Sequence, residues 1–184
     1  MATQNQALSP ASQEQEKGTG GPAGAGKATQ FLTFMLNDEV YGIDILNIKE
    51  IINHGAIAPV PMMPEFIAGV INLRGSVVPV VNLALRFDDR PASRTRRSSI
   101  VILEVEHEEQ NMEIGITVDV VTEVLDISQD DIEPAPTFGT KIRTDFINGM
   151  GKIGDQLLIL LNVENMLSIN ELSMNRDFQN EAVC

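Results

Sequence analysis

The chain has one cysteine in 184 residues, Cys184, the last of them, so no disulfide can staple the fold and no cysteine cluster can hold a metal. Tryptophan is absent and tyrosine occurs once, at Tyr41, which leaves little for stacking on bases or for lining an aromatic peptide groove. Basic side chains are few as well. Against 26 Asp and Glu stand 13 Lys and Arg, and the formal net charge of −13 repels phosphate backbones and argues against nucleic-acid binding. The longest apolar runs, such as residues 157–161, are far too short to span a bilayer. No basic-then-apolar signal pattern opens the chain, so a soluble protein of the reducing cytoplasm is expected, with no direct membrane insertion.

Catalytic equipment is equally thin. His54 and His107 fall in predicted turns with no cysteine nearby, where solvated side chains are the expected reading and a metal site is not. The glycines between Gly18 and Gly26 lack the preceding strand that a phosphate loop requires. Glu104, Glu106, Glu108 and Glu109 straddle a hairpin turn, where carboxylates serve solubility or edge protection. An acid/base pair would have to be built from Asp44 and Glu50, which flank an aliphatic face. No cofactor, no metal and no catalytic residue is expected, and the chain reads as a non-enzyme. The basic island Arg90, Arg94, Arg96 and Arg97 reads as a solvated linker.

What is present is a duplication. Phe66-Ile67-Ala68-Gly69 returns 80 residues later as Phe146-Ile147-Asn148-Gly149, and the apolar run Val77–Leu83 returns as Leu157–Val163. Upstream, Gly42-Ile43-Asp44-Ile45 with Ile48-Lys49-Glu50-Ile51-Ile52 matches Gly115-Ile116-Thr117-Val118 with Val121-Thr122-Glu123-Val124-Leu125 at an offset of 73. Pro59-Val60-Pro61 matches Pro134-Ala135-Pro136 at 75. The growing offset is that of insertions collecting in turns while core segments keep their length.

Residues 1–28 carry too little apolar surface to offset the entropy of ordering and are expected to be a disordered tail. Order is expected from Gln30, with a hairpin of Gln30–Leu36 and Val40–Ile45 about a turn at residues 37–39. Ile45, Ile48, Ile51 and Ile52 recur three and four apart, which predicts a short helix or helical turn ending near Asn53. Pro59, Pro61 and Pro64 break the chain, and Phe66–Asn72 and Val77–Leu83 predict two strands around Leu73-Arg74-Gly75-Ser76. Strands are expected again at Ile100–Val105, Met112–Val118, Val120–Leu125, Phe146–Met150 and Gln156–Val163. A polar connector is expected at Asp126–Pro136, and a short terminal helix carrying Val163, Met166, Leu167 and Leu172. Many short, evenly spaced strands predict a mainly β fold of small barrels, with a cleft where the two meet.

The two copies differ at one turn. Where the second has Gly154-Asp155, the first has Arg74-Gly75, and a turn does not require arginine. Its planar fork suits a docking partner's carboxylates or carbonyls, or else an internal ion pair to Glu50 or Asp44, and the sequence leaves both open. Gly69 and Gly149 mark either a bulge or a close backbone approach.

Tyr41-Gly42-Ile43-Asp44-Ile45, Ile48 and Glu50, Phe66–Gly75 with its Asn-Leu-Arg-Gly turn, and Val78-Pro79-Val80-Val81-Asn82-Leu83 together resemble the CheW adaptors of bacterial chemotaxis, over residues 30 to about 170. The resemblance implies two intertwined five-stranded SH3-like β-barrels with short helices. It implies a CheW-like domain over 29–170, with subdomains at roughly 30–88 and 98–168 and a C-terminal tail at 171–184. The implied function is coupling of methyl-accepting receptors to the CheA histidine kinase without catalysis; an adaptor of another chemosensory pathway, for surface motility or second-messenger control, is the alternative. Implied partners are the kinase regulatory domain and the receptor's cytoplasmic tip, the latter in the groove between barrels. By matching positions, Ile48, Glu50, Gly69, Arg74 and Gly75 in the first copy and Ile100, Gly115 and Val124 in the second are the implied receptor-binding residues. Kinase contacts are implied for exposed apolar surface at the barrel ends. A stand-alone sensor of a peptide or small molecule is the rival, disfavoured by the scarcity of aromatics.

Overall fold

The structure is a computed structural model that describes residues 27–87, 94–137 and 139–167. The expected N- and C-terminal tails lie almost wholly outside the described residues, as do Arg90, Leu172 and Cys184.

Strand β1 (Ala28–Leu36) starts two residues before Gln30 and turns through Asn37-Asp38 into β2 (Glu39–Asp44). The Asp44 carboxylate accepts from the Leu46 N–H at 2.9 Å and caps one 3-10 turn, Ile45–Asn47. The helical expectation stops there. Ile48–Asn53 is a strand, β3, whose residues alternate between half-buried and exposed. Its β-branched isoleucines suit a pleated, half-buried surface, and the ladder to a neighbouring strand outweighs the three- and four-residue spacing.

The hairpin β4 (Ile67–Leu73) and β5 (Ser76–Asn82) follows, closed by helix α1 (Leu83–Arg86). The second copy supplies β6 (Ser99–His107), β7 (Gln110–Val118) and β8 (Val120–Ser128). A two-residue strand, β9 (Ile132–Glu133), then precedes β10 (Ile147–Ile153), β11 (Gln156–Leu161) and helix α2 (Val163–Leu167).

The duplication reappears as matching geometry. The β4–β5 ladder slips between Ile67↔Val81 and Gly69↔Val80, and the β10–β11 ladder slips between Ile147↔Leu161 and Gly149↔Leu160, the same step 80 residues on. The isolated bridge Ala58↔Val70 stands where β9 pairs Glu133 with Met150. Asn82 N–H donates to the Phe66 carbonyl at 2.7 Å, and Asn162 N–H donates to the Phe146 carbonyl at the same distance.

Strand pairing crosses the repeat boundary. One sheet runs β8-β1-β2-β11-β10-β9 and the other β3-β6-β7-β5-β4. Each copy therefore lends its first hairpin to the other. The exchange is reciprocal in register, since Val80 pairs with Gly115 in one sheet and Leu160 with Gly42 in the other, both in parallel. Side chains are close-packed at these crossings: a Cβ on Gly42 would lie 3.0 Å from Leu160, and one on Gly115 would lie 2.9 Å from Ile100.

Burial follows from the exchange. Phe31, Ile127, Leu158 and Leu160 form a small cluster on the six-stranded sheet, and Val78, Val80, Ile100 and Ile102 form its counterpart on the five-stranded one. A much larger cluster draws on both sheets and both helices, with Phe34, Ile43, Leu83, Leu103, Ile114, Phe146 and Met166 among its fully buried members. The seam between the copies is thus the main core.

Candidate functional site

Arg74 and Gly75 are the two central residues of the β4–β5 hairpin, closed by the pair Leu73↔Ser76. Both have positive φ, 51° and 89°. Two-residue hairpins of this kind match the twist of the strands and favour Asn-Gly, because a side chain in the left-handed region crowds its own carbonyl. Gly75 fits that rule, and its N–H donates to Asn72 Oδ1 at 2.9 Å. Arg74 does not. The corresponding turn of the second copy begins with Gly154, φ 58°.

The guanidinium of Arg74 reaches across to β3 and grips Glu50 with both arms, Nη1 donating to Oε1 at 2.8 Å and Nη2 to Oε2 at 2.9 Å. The internal ion pair is formed, and with Glu50. The Arg74 side chain nevertheless stays 73% exposed while Glu50 is 20% exposed, so the pair presents a fixed guanidinium face to solvent over a mostly covered carboxylate. Asp44 is taken by its capping bond, so the two carboxylates considered as an acid/base pair have separate structural partners.

The five-stranded sheet that carries this pair also carries every other implied receptor-binding residue except Val124. Ile48 and Glu50 lie on β3, and Ile100 on its neighbour β6, where Ile52 pairs with Ile100. Gly115 on β7 pairs with Ile102. Gly69 shows both properties left open for it, a register slip and a close approach: at φ 141° an added Cβ would lie 2.1 Å from the Ala58 carbonyl oxygen. Gly69, Ile100 and Gly115 are buried, and only Arg74, Gly75 and parts of Ile48 and Glu50 reach the surface. Val124 stands apart on β8 of the other sheet, exposed, at the position that corresponds to the exposed Ile51.

A second surface was not assigned in sequence. On the six-stranded sheet a groove of about 490 Å³ opens beside β2, β10 and β11, with Val40, Met150, Leu157 and Ile159 as its apolar lining and Glu39 and Lys141 among its polar residues. Lys141 Nζ donates to Glu39 Oε1 at 2.7 Å, and Tyr41 Oη donates to Glu39 Oε2 at 3.0 Å. Leu157 and its counterpart Val77 are both exposed. Their signal was the uninterrupted aliphatic run itself, because a strand with one face on the core should alternate. In β11, Leu158 and Leu160 join the small cluster on one face, and on the other Ile159 is half-buried against the main core while Leu157 is exposed.

Asp145, Lys49 and Lys152 have shifted titration. Asp145 is held below the ordinary carboxylate value of 3.8, chiefly by its hydrogen bonds from Arg143. Lys49 and Lys152 are raised above 10.5, chiefly by hydrogen bonds to Glu113 and Glu133. All three are surface ion pairs. Among the described residues no group of three His, Cys, Asp or Glu is placed to hold a metal ion, and no helix is long and apolar enough to cross a membrane.

The model of the CheW-like domain matches residues 30–171. A chemotaxis protein CheW of Klebsiella aerogenes is 35% identical over 152 residues, 83% of this chain and 89% of that protein. Its namesake in Treponema pallidum is 35% identical over 147 residues, 78% of this chain and 84% of that protein. Among solved structures, the scaffolding protein TtCheW of Thermoanaerobacter tengcongensis superposes with a TM-score of 0.71 at 34% identity, covering 79% of this chain and 91% of that one. A domain match over most of the length, relatives at this identity and a shared mainly β double-sheet fold place the chain in the CheW family.

Proposed function

We propose that the chain is a chemotaxis adaptor that couples methyl-accepting receptors to a CheA-type histidine kinase by protein contacts alone. The observation that carries this reading is Arg74: a long cationic side chain kept at a left-handed turn position where asparagine or glycine would be less strained, and fixed by Glu50 with its outer face exposed. A side chain held at such a cost, with its outer face open to a partner, serves recognition.

The receptor tip docks on the five-stranded sheet. Arg74 and Glu50 set its register and Ile48 and Gly75 frame them, while Val124, on β8 of the other sheet, stands outside this surface. Gly69, Ile100 and Gly115 act from beneath, by holding β4, β6 and β7 at the spacing that places the Arg74 turn. The kinase regulatory domain takes the apolar groove around Leu157 on the other sheet. Two partners on two sheets of one shared core make a bridge that involves no bond chemistry, and the cytoplasm is where such partners meet it.

Co-purification tests the reading. The chain is mixed with a receptor cytoplasmic fragment and with a kinase regulatory domain, separately and together, at fixed salt. Capture of each alone, and of both at once, is the expected result; capture of neither refutes it. The alternative pathway differs only in which receptor set is captured, so fragments from swimming and surface-motility systems belong in the same experiment.

A further inference from the structure

At the seam the two copies share a helix, its asparagine cap and the phenylalanine that leads into the preceding hairpin, while the side chains of the helices themselves differ. Helices α1 and α2 correspond at an offset of 80, Asn82 and Asn162 cap them through Oδ1, and Phe66 and Phe146 precede the matching strands. Among those differing positions is Arg86, whose counterpart is Met166. The Arg86 guanidinium lies 4.6 Å from the Phe66 ring centre and 4.8 Å from the Phe146 ring centre. Its Nε donates to the Met166 carbonyl at 2.8 Å. One side chain thus touches both matching phenylalanines and its own counterpart.

We propose that Arg86 is a positioning residue that fixes the orientation of one sheet pair against the other, so that the two docking surfaces are presented at the angle a three-component assembly needs. Stability alone does not call for a cation here. Bringing a guanidinium partly out of water costs free energy, and apolar side chains often replace partly buried charges without loss. Met166 shows that a methionine fits the equivalent place in this same fold. What arginine adds is directional: a plane attracted to two ring faces and a donor aimed at one carbonyl, which together admit one arrangement where a methionine admits several. Arg143, 4.7 Å from the Phe146 ring centre and paired with Asp145, holds that ring from the second copy's own side.

The functional half rests on the adaptor reading, so the test measures geometry separately. Spin labels at Glu106→Cys on β6 and Asp155→Cys in the β10–β11 turn, exposed positions belonging to different sheets, are read by pulsed electron resonance in a Cys184→Ser background. The parent should give one narrow distance distribution. Arg86→Met should at least double its width while Tm stays within about 3 °C of the parent, and Arg86→Lys should fall between. Arg86→Met should also bind receptor fragment and kinase domain separately at parental affinity, yet assemble all three at least tenfold less well. A parental width in Arg86→Met, or three-component assembly at parental affinity, overturns the proposal. Should Arg86→Met not fold, a parental width in Arg86→Lys overturns it equally. If the parent itself binds neither partner, the adaptor reading fails, and the distance widths still decide whether Arg86 sets the orientation.

Discussion

Replacing Arg74 by Asn separates recognition from stability at the turn. On the stability side, the ion pair to Glu50 involves an arginine 73% exposed, and exposed pairs contribute about 0.2–1 kcal/mol. Asparagine, which tolerates the left-handed region, recovers about 1 kcal/mol of backbone strain that arginine bears at φ 51°. The two nearly cancel. For a domain of about 140 residues the unfolding entropy is about 0.3 kcal/mol/K, so a net change within about 1 kcal/mol moves Tm by no more than about 3 °C. On the recognition side, Arg74 offers charge-assisted hydrogen bonds of about 1.5–3 kcal/mol each once a partner excludes water. Losing one already exceeds the 1.4 kcal/mol that corresponds to tenfold in affinity. Scanning fluorimetry should therefore report a Tm almost unchanged, while titration calorimetry against a receptor fragment reports binding weakened tenfold or more. A fall in Tm of more than about 6 °C with unchanged affinity per folded molecule would show that the pair is structural and that the docking reasoning is wrong.

Gly69→Ala should destabilise the fold by about 2 kcal/mol or more, since its Cβ would meet the Ala58 carbonyl at 2.1 Å in a backbone conformation closed to alanine; thermal melts check this, and an unchanged Tm contradicts the packing. Chemical denaturation should show one cooperative transition by fluorescence and circular dichroism together, because the largest core cluster belongs to both copies, and two separated midpoints would refute the shared core. Asp145 has a folded pKa below its unfolded value near 3.8, so its contribution is present above that pH and lost as pH falls through the lower folded value. Asp145→Asn should accordingly lower Tm slightly at pH 7 and lose that difference in strong acid; a difference that persists there points to another cause. Leu157→Asp should abolish capture of the kinase domain and spare receptor binding, as pull-downs with each partner would reveal.

Local physics made much of this fold legible. The turns at Asn37-Asp38 and Arg74-Gly75 and the short helix at Val163 are legible through residue type or the repeat, whereas at Gly69 and Gly149 the sequence leaves a bulge and a close approach equally open. Ile48–Asn53 reads as helical in sequence and is a strand, because one 3-10 turn and a strand together mimic a helical spacing and only the partner strand β6 decides between them. The exchange of hairpins between copies lies in long-range pairing, which periodicity does not encode. At the docking surface the sequence identified Arg74 as the odd residue and left its partner open between Glu50 and Asp44; distance settled it. Neither Arg86 nor the Leu157 groove is legible in the sequence, the first because its meaning depends on a seam, the second because an all-aliphatic strand looks buried on both faces.

Bridging itself is tested most directly by reconstituting kinase autophosphorylation with receptor fragments, in the presence and absence of this chain. At least tenfold stimulation is predicted only when receptor, kinase and chain are all present, and most of it should vanish with Arg74→Asn. Equal kinase rates with and without the chain, under conditions where receptor and kinase are both intact, would contradict the adaptor role.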